Sequence, residues 1–159
     1  MCLPTFQRNK MKKKLIQANN LERVIDIFIY IYNHPNSTKN NVAEYSGITL
    51  RQVDYYLGAC FYLDLLDEKM KPTKIANEIF EKYRFKVRDC VYERIFIDDI
   101  YGKIIRRKLF YPELDIYEYA SKIVRENYSG YSEAVYERRI DNIIKWCEKI
   151  LKYLIDRGV

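Results

Sequence analysis

Glycine, proline and histidine are scarce in this chain: 5 glycines, 4 prolines and a single histidine, His34, among 159 residues. So few turn-forming residues imply long elements and point to a mainly α fold. The four cysteines, Cys2, Cys60, Cys90 and Cys147, lie far apart, and with one histidine they give no pair at metal-ligand spacing. No metal is therefore expected. The longest apolar run, residues 27–32, is far short of the roughly 20 residues that cross a bilayer. No signal peptide is recognisable, so the expectation is no membrane partner and a cytoplasmic chain with reduced thiols. A phosphate-cradling glycine loop, a Ser/His/Asp set and a Cys/His pair are all missing, so neither a catalytic residue nor a cofactor is expected. The one carboxylate–lysine group, Asp64, Asp67, Glu68 and Lys69, lacks the alternating strand on which nuclease sites are built.

What the chain does have is basic charge in two places. The net charge is +6. Residues 1–20 hold five cations and no acid, and residues 84–109 hold eight cations against four acids. Residues 21–66 carry three cations against five acids. The basic segments suit a polyanion, whereas the acidic balance of 21–66 favours a protein partner.

Hydrophobic periodicity and capping residues divide the chain into helices. Residues 1–19 are basic and unpatterned, and are read as a flexible tail. An apolar helix over 21–32 stops at His34-Pro35. Ser37 is read as the cap of a short helix to residue 44 or 45, and Gly47 as the left-handed turn after it. Thr49 and Gln52 form a capping box for a helix over 49–65. The run 66–73 reads as a very short hairpin or wing, and Thr73 caps a helix to about residue 84. A long helix is expected over 87–109, with Gly102 weakening it by about 1 kcal/mol. Asp115 with Glu118 makes another capping box, starting a helix to about 127, and Ser132 starts a last one to about 156.

A short helix, a tight turn and a longer helix with polar groups at its tip make a helix-turn-helix, whose second helix puts N-terminal side chains on base edges. Arg51, Gln52 and Tyr55 are the candidate readers, because Arg and Gln match guanine and adenine edges bidentately. Lys69 and Lys71 on the wing are candidates for phosphate contact. The triplet Arg106-Arg107-Lys108 is read as a solubilised helix end that opposes its dipole, with phosphate contact as the alternative. Trp146 is read as core.

The pattern recurs. Tyr45-Ser46-Gly47 returns as Tyr128-Ser129-Gly130, and the ten residues 51–60 match 138–147, with Arg51/Arg138, Asp54/Asp141 and Cys60/Cys147 identical. The second copy begins four residues further from its turn. Arg138, Arg139, Asn142 and Lys145 are its candidate readers. The chain thus reads as tandem winged helix-turn-helix modules with minimal β wings: a tail over 1–19, one module over 20–85 and a winged-helix-like one over 86–159.

The run from Tyr136 to Cys147, with Arg138-Arg139 before Ile143-Ile144-Lys145-Trp146, resembles the recognition helices of tandem winged-helix regions in some type II restriction enzymes. The resemblance spans about residues 20–157 and leaves no room for a separate nuclease domain. It implies a recognition part alone, or a regulator built from the same module, that binds double-stranded DNA. A winged-helix module for a protein partner or a homodimer is the alternative, and a restriction-nuclease fragment a third reading.

Overall fold

The computed structural model describes residues 13–158, in which eight α-helices and one 3-10 turn make the protein mainly α. Two compact units, Met1–Glu93 and Arg94–Val159, divide the chain.

In the first unit, α1 (Leu21–Asn33) buries Val24, Ile25, Ile27, Phe28 and Ile31 and packs on α2 (Lys39–Ser46) and α3 (Leu50–Tyr62). The cap of α2 is Thr38, one residue beyond the expected Ser37. Its hydroxyl accepts from Asn41 N–H, and the Asn41 side chain accepts from Thr38 N–H at 2.8 Å. Gly47, at φ 64°, ends α2 in the left-handed conformation that glycine adopts without a Cβ penalty. Thr49 and Gln52 then form the anticipated reciprocal cap of α3.

α3 stops at Tyr62, short of residue 65. The Lys13 ammonium donates to the carbonyls of Phe61 (2.8 Å) and Tyr62 (3.3 Å) and to the Asp64 carboxylate, while Asp64 turns left-handed at φ 59°. A lysine from outside the helix thus satisfies carbonyls that the helix end leaves open. This corrects the tail expectation for 13–19. Leu15, Ile16 and Ala18 are buried, and Tyr56 donates to Asn19 at 3.3 Å. Residues 1–12 of that tail lie outside the described residues.

In place of the expected short hairpin or wing there is one isolated antiparallel bridge, Leu66 to Pro72, closed by Asp67. Asp67 N–H donates to Lys71 O at 2.8 Å, and its carboxylate accepts from the backbone N–H of Lys69 (2.8 Å) and Lys71 (2.9 Å). Thr73 caps α4 (Lys74–Lys82), and the 3-10 turn Arg84–Lys86 leads to α5 (Val87–Phe96). The unit closes at residue 93 rather than 85 because α5 is tied to α1. Tyr92 donates to Glu22 at 2.6 Å, and Arg88 pairs with the same carboxylate at 3.0 Å.

In the second unit, α6 (Tyr101–Phe110), α7 (Ile116–Asn127) and α8 (Glu133–Asp156) pack on one another, with no β-bridge among its described residues. The single helix expected over 87–109 is two. Asp98, fully buried, accepts the backbone N–H of Ile100 (2.8 Å) and Tyr101 (3.0 Å) through its carboxylate, the office of an N-cap. Gly102 permits the crowding this break creates, for a Cβ there would lie 2.2 Å from the Phe96 carbonyl oxygen. Ser132 caps α8 as expected, and Asp115 caps α7 by accepting Glu118 N–H, one half of the expected box.

Candidate nucleic-acid interface

The first turn of α3 is the best-formed part of the candidate surface. Arg51 and Gln52 are exposed, and Tyr55 is half-buried. Arg51 Nε donates to the Tyr55 hydroxyl at 2.8 Å, so Tyr55 props the guanidinium on the solvent face one turn back. Gln52 is partly committed: its Oε1 accepts from Thr49 N–H at 3.0 Å, leaving the amide NH2 to face outward. Asp54, an unfavourable charge on such a surface, is neutralised by Lys39 of α2 at 2.7 Å. Nothing in the sequence pairs residues 39 and 54; the contact exists only because α2 packs on α3.

On the wing, Lys69 is exposed and Lys71 reaches back to the Pro35 carbonyl at 3.2 Å. Lys71 therefore braces the wing against the corner between α1 and α2 as well as presenting charge.

In α8, Arg138 and Lys145 are exposed, while Arg139 and Asn142 are half-buried. Arg138, Asn142 and Lys145 follow one helical face. They are not at the helix tip, however, because the cap at Ser132 puts Arg138 in the second turn. The tip carries Glu133, gripped bidentately by Arg125 of α7 at 2.8 and 2.7 Å. That hydrogen bonding raises Arg125 further and holds the Glu133 carboxyl below its ordinary value. Arg125 also lies 4.5 Å from the Tyr136 ring centroid. The clamp fixes the corner between α7 and α8 and is not legible in the sequence, since Arg125 and Glu133 sit on different helices.

Most positions matched between the two runs have matched burial. Val53 and Ile140, Tyr56 and Ile143, and Ala59 and Trp146 are buried in pairs; Asp54 and Asp141, and Gly58 and Lys145, are exposed in pairs. The matched thiols make matched contacts, Cys60 to Val24 O of α1 (3.9 Å) and Cys147 to Tyr101 O of α6 (3.8 Å). Each cysteine of a unit's third helix thus sits beneath the start of its first. Burial pushes the Cys60 thiol up to about 12 and raises Cys147 as well, so both behave as inert core groups. The turns correspond less closely. Gly47 and Gly130 each precede the next cap by two residues, but Tyr45-Ser46 lie inside α2 whereas Tyr128-Ser129 follow α7.

Among the described residues, no cluster of three or more His, Cys, Asp or Glu could hold a metal ion, and no helix is long and apolar enough to cross a membrane. The sequence profile of the family described as Domain of unknown function (DUF7226) matches residues 23–154, and the chain belongs to that family. No curated protein and no solved structure matches it.

Proposed function

We propose that this member of the family is a double-stranded DNA-binding protein, a regulator or recognition module, whose two units act as tandem helix-turn-helix modules in the manner of winged helices. The observation that carries this reading is the α2–Gly47–α3 corner, which leaves Arg51 and the Gln52 amide exposed on the first turn of α3 with a one-bridge wing downstream. Lys39 supports it by neutralising Asp54 beside that turn. Lys69 and Lys71 serve phosphates, and Arg138, Arg139, Asn142 and Lys145 form the second contact through the second turn of α8. A reducing cytoplasm suits the buried thiols of Cys60, Cys90 and Cys147.

The test is a duplex-binding titration at several salt concentrations. Affinity should fall steeply as salt rises, by about tenfold or more between 50 and 200 mM for several phosphate contacts. Arg51→Ala and the Arg138→Ala/Arg139→Ala pair should each weaken binding while leaving Trp146 fluorescence unchanged. Absence of duplex binding at low salt would refute the reading.

A docking module for a protein partner is favoured by one observation. Tyr45 and Leu50, 56% and 51% exposed, flank the turn of the first unit and give it an apolar rim. If that rim serves a protein, Leu50→Ala will abolish partner capture while Arg51→Ala leaves it intact.

A further inference from the structure

The solvent side of α6 has a composition unlike the rest of the second unit. Its buried side is Tyr101, Ile104 and Ile105. Its exposed side carries Lys103, Arg106 and Arg107, then Phe110 and Tyr111, 78% and 54% exposed. The spacing i, i+3, i+4, i+7 places Lys103, Arg106, Arg107 and Phe110 on one stripe about 10 Å long, and Tyr111, the residue that ends the helix, follows it. No acid occurs between Asp99 and Glu113. Among the described residues, Lys103 and Arg107 make no ion pair. Arg107 instead lies over the Tyr111 ring at 4.3 Å and near the Tyr119 ring at 5.9 Å. Arg106 gives one N–H to Phe96 O at 3.2 Å. Lys108, the third member of the basic triplet, is spent on structure, donating to Pro112 O (2.5 Å) and Leu114 O (2.7 Å).

Uncompensated cations beside exposed rings are what a single strand needs. Phosphates meet Lys103, Arg106 and Arg107, and unpaired bases stack on Phe110 and on the Tyr111–Arg107 pair, a contact open to any base because every base has a π face. A duplex offers no such faces, since its bases are already stacked. An anionic membrane fits less well. Interfacial helices put an apolar face into the bilayer opposite the cations, and here the apolar face of α6 is used up inside the unit. We propose that the exposed stripe of α6, from Lys103 to Tyr111, is a binding site for single-stranded nucleic acid without sequence preference. The site goes beyond duplex recognition by α3 and α8 and stands without it.

The experiment is fluorescence anisotropy of a labelled oligothymidylate of about fifteen nucleotides titrated with the full chain at two salt concentrations, alongside a labelled duplex. The unchanged protein should bind the single strand in a salt-sensitive way. Phe110→Ala and Arg107→Gln should each weaken that binding about tenfold or more and leave duplex affinity within twofold, by our expectation of separate sites, about the error of such assays. Trp146 emission checks the fold of each variant, and Tyr111→Phe, which keeps the ring, should bind as the parent does. Arg51→Ala should leave single-strand binding unchanged, which separates this site from the duplex surface. The proposal is overturned if Phe110→Ala and Arg107→Gln bind the oligonucleotide as tightly as the parent. It is overturned equally if polyglutamate or anionic vesicles displace the oligonucleotide as well as unlabelled strand does at matched charge, since plain charge or a lipid surface would then explain the stripe.

Discussion

Replacing Gly102 with alanine sets two effects against each other. On helix propensity alone the change should stabilise α6 by about 1 kcal/mol, because glycine is the poorest ordinary helix former. The structure reverses the sign. The added Cβ would meet the Phe96 carbonyl oxygen at 2.2 Å and the carbonyl carbon at 3.2 Å, and both are backbone. Relieving that contact means moving α5 and α6 apart by about 1 Å, at the upper end of the 1–3 kcal/mol that overpacking typically costs. The net expectation is a loss of about 2 kcal/mol, or roughly 10 °C in the melting point of a unit this small. Trp146 is the chain's single tryptophan and is 1% exposed, so its emission follows unfolding of the second unit. Gly58 is the control: it lies inside α3 with nothing within 4 Å of a built Cβ, and Gly58→Ala should stabilise by about 0.5–1 kcal/mol. A Gly102→Ala protein that melts at or above the parent would refute the account of a tight break between α5 and α6.

Three other perturbations follow from the geometry. Thr49→Ala removes the hydroxyl that accepts Gln52 N–H at 3.2 Å; chemical denaturation should show a loss of about 1 kcal/mol, and Thr49→Ser should restore most of it. The Glu133 carboxyl is held below its ordinary value by the hydrogen bonds of Arg125, so the clamp's contribution is complete above the ordinary glutamate range and fades as pH falls through the lowered folded value. An NMR titration should place Glu133 below the other exposed glutamates, and Glu133→Gln should lose that acid-range component; an ordinary midpoint would contradict the clamp. In a Cys2→Ser background, a thiol reagent at pH 8 should modify none of Cys60, Cys90 and Cys147 until denaturant is added, because all three are fully buried and Cys60 is pushed up to about 12. Rapid labelling of the native protein would show that its core opens.

Most of the helix caps are legible in the sequence. Thr49 with Gln52, Thr73, Asp115 and Ser132 each make the cap their spacing announced, because a cap is settled by the side chain and the amides two or three places on. Two other features stay hidden, one behind a competing local pattern and one because its partners are distant in sequence. The break between α5 and α6 was hidden because Val91, Ile95, Ile100, Ile104 and Ile105 keep an unbroken apolar rhythm through it, while the residues that end the helix, Asp98 and Gly102, act by a cap and by a close approach to Phe96. Residues 13–19 carry no local sign of their order because Lys13 finds its partners 48 and more positions away, at Phe61, Tyr62 and Asp64. Long-range pairing leaves no periodicity to read.

The same distinction governs the candidate interface. Arg51 is at the tip of its helix because Thr49, two residues before it, is the cap, so motif and cap agree. Arg138 was matched to Arg51 through the residues that follow it, Ile140, Ile143 and Cys147, and those do occupy the same buried positions as Val53, Tyr56 and Cys60. The repeat therefore preserves how the third helix seats in its unit, not how far that helix projects. With its cap at Ser132, α8 extends one further turn, about 5.4 Å, ahead of Arg138 and ends in Glu133 bound to Arg125. A tip of that composition suits a nucleic-acid groove less than the tip of α3, which carries Arg51 and Gln52. If both units meet one duplex, the second does so with the flank of α8, where Arg138, Asn142 and Lys145 lie in line. Its arginines would then position the protein on phosphates, while base reading falls to Arg51 and Gln52.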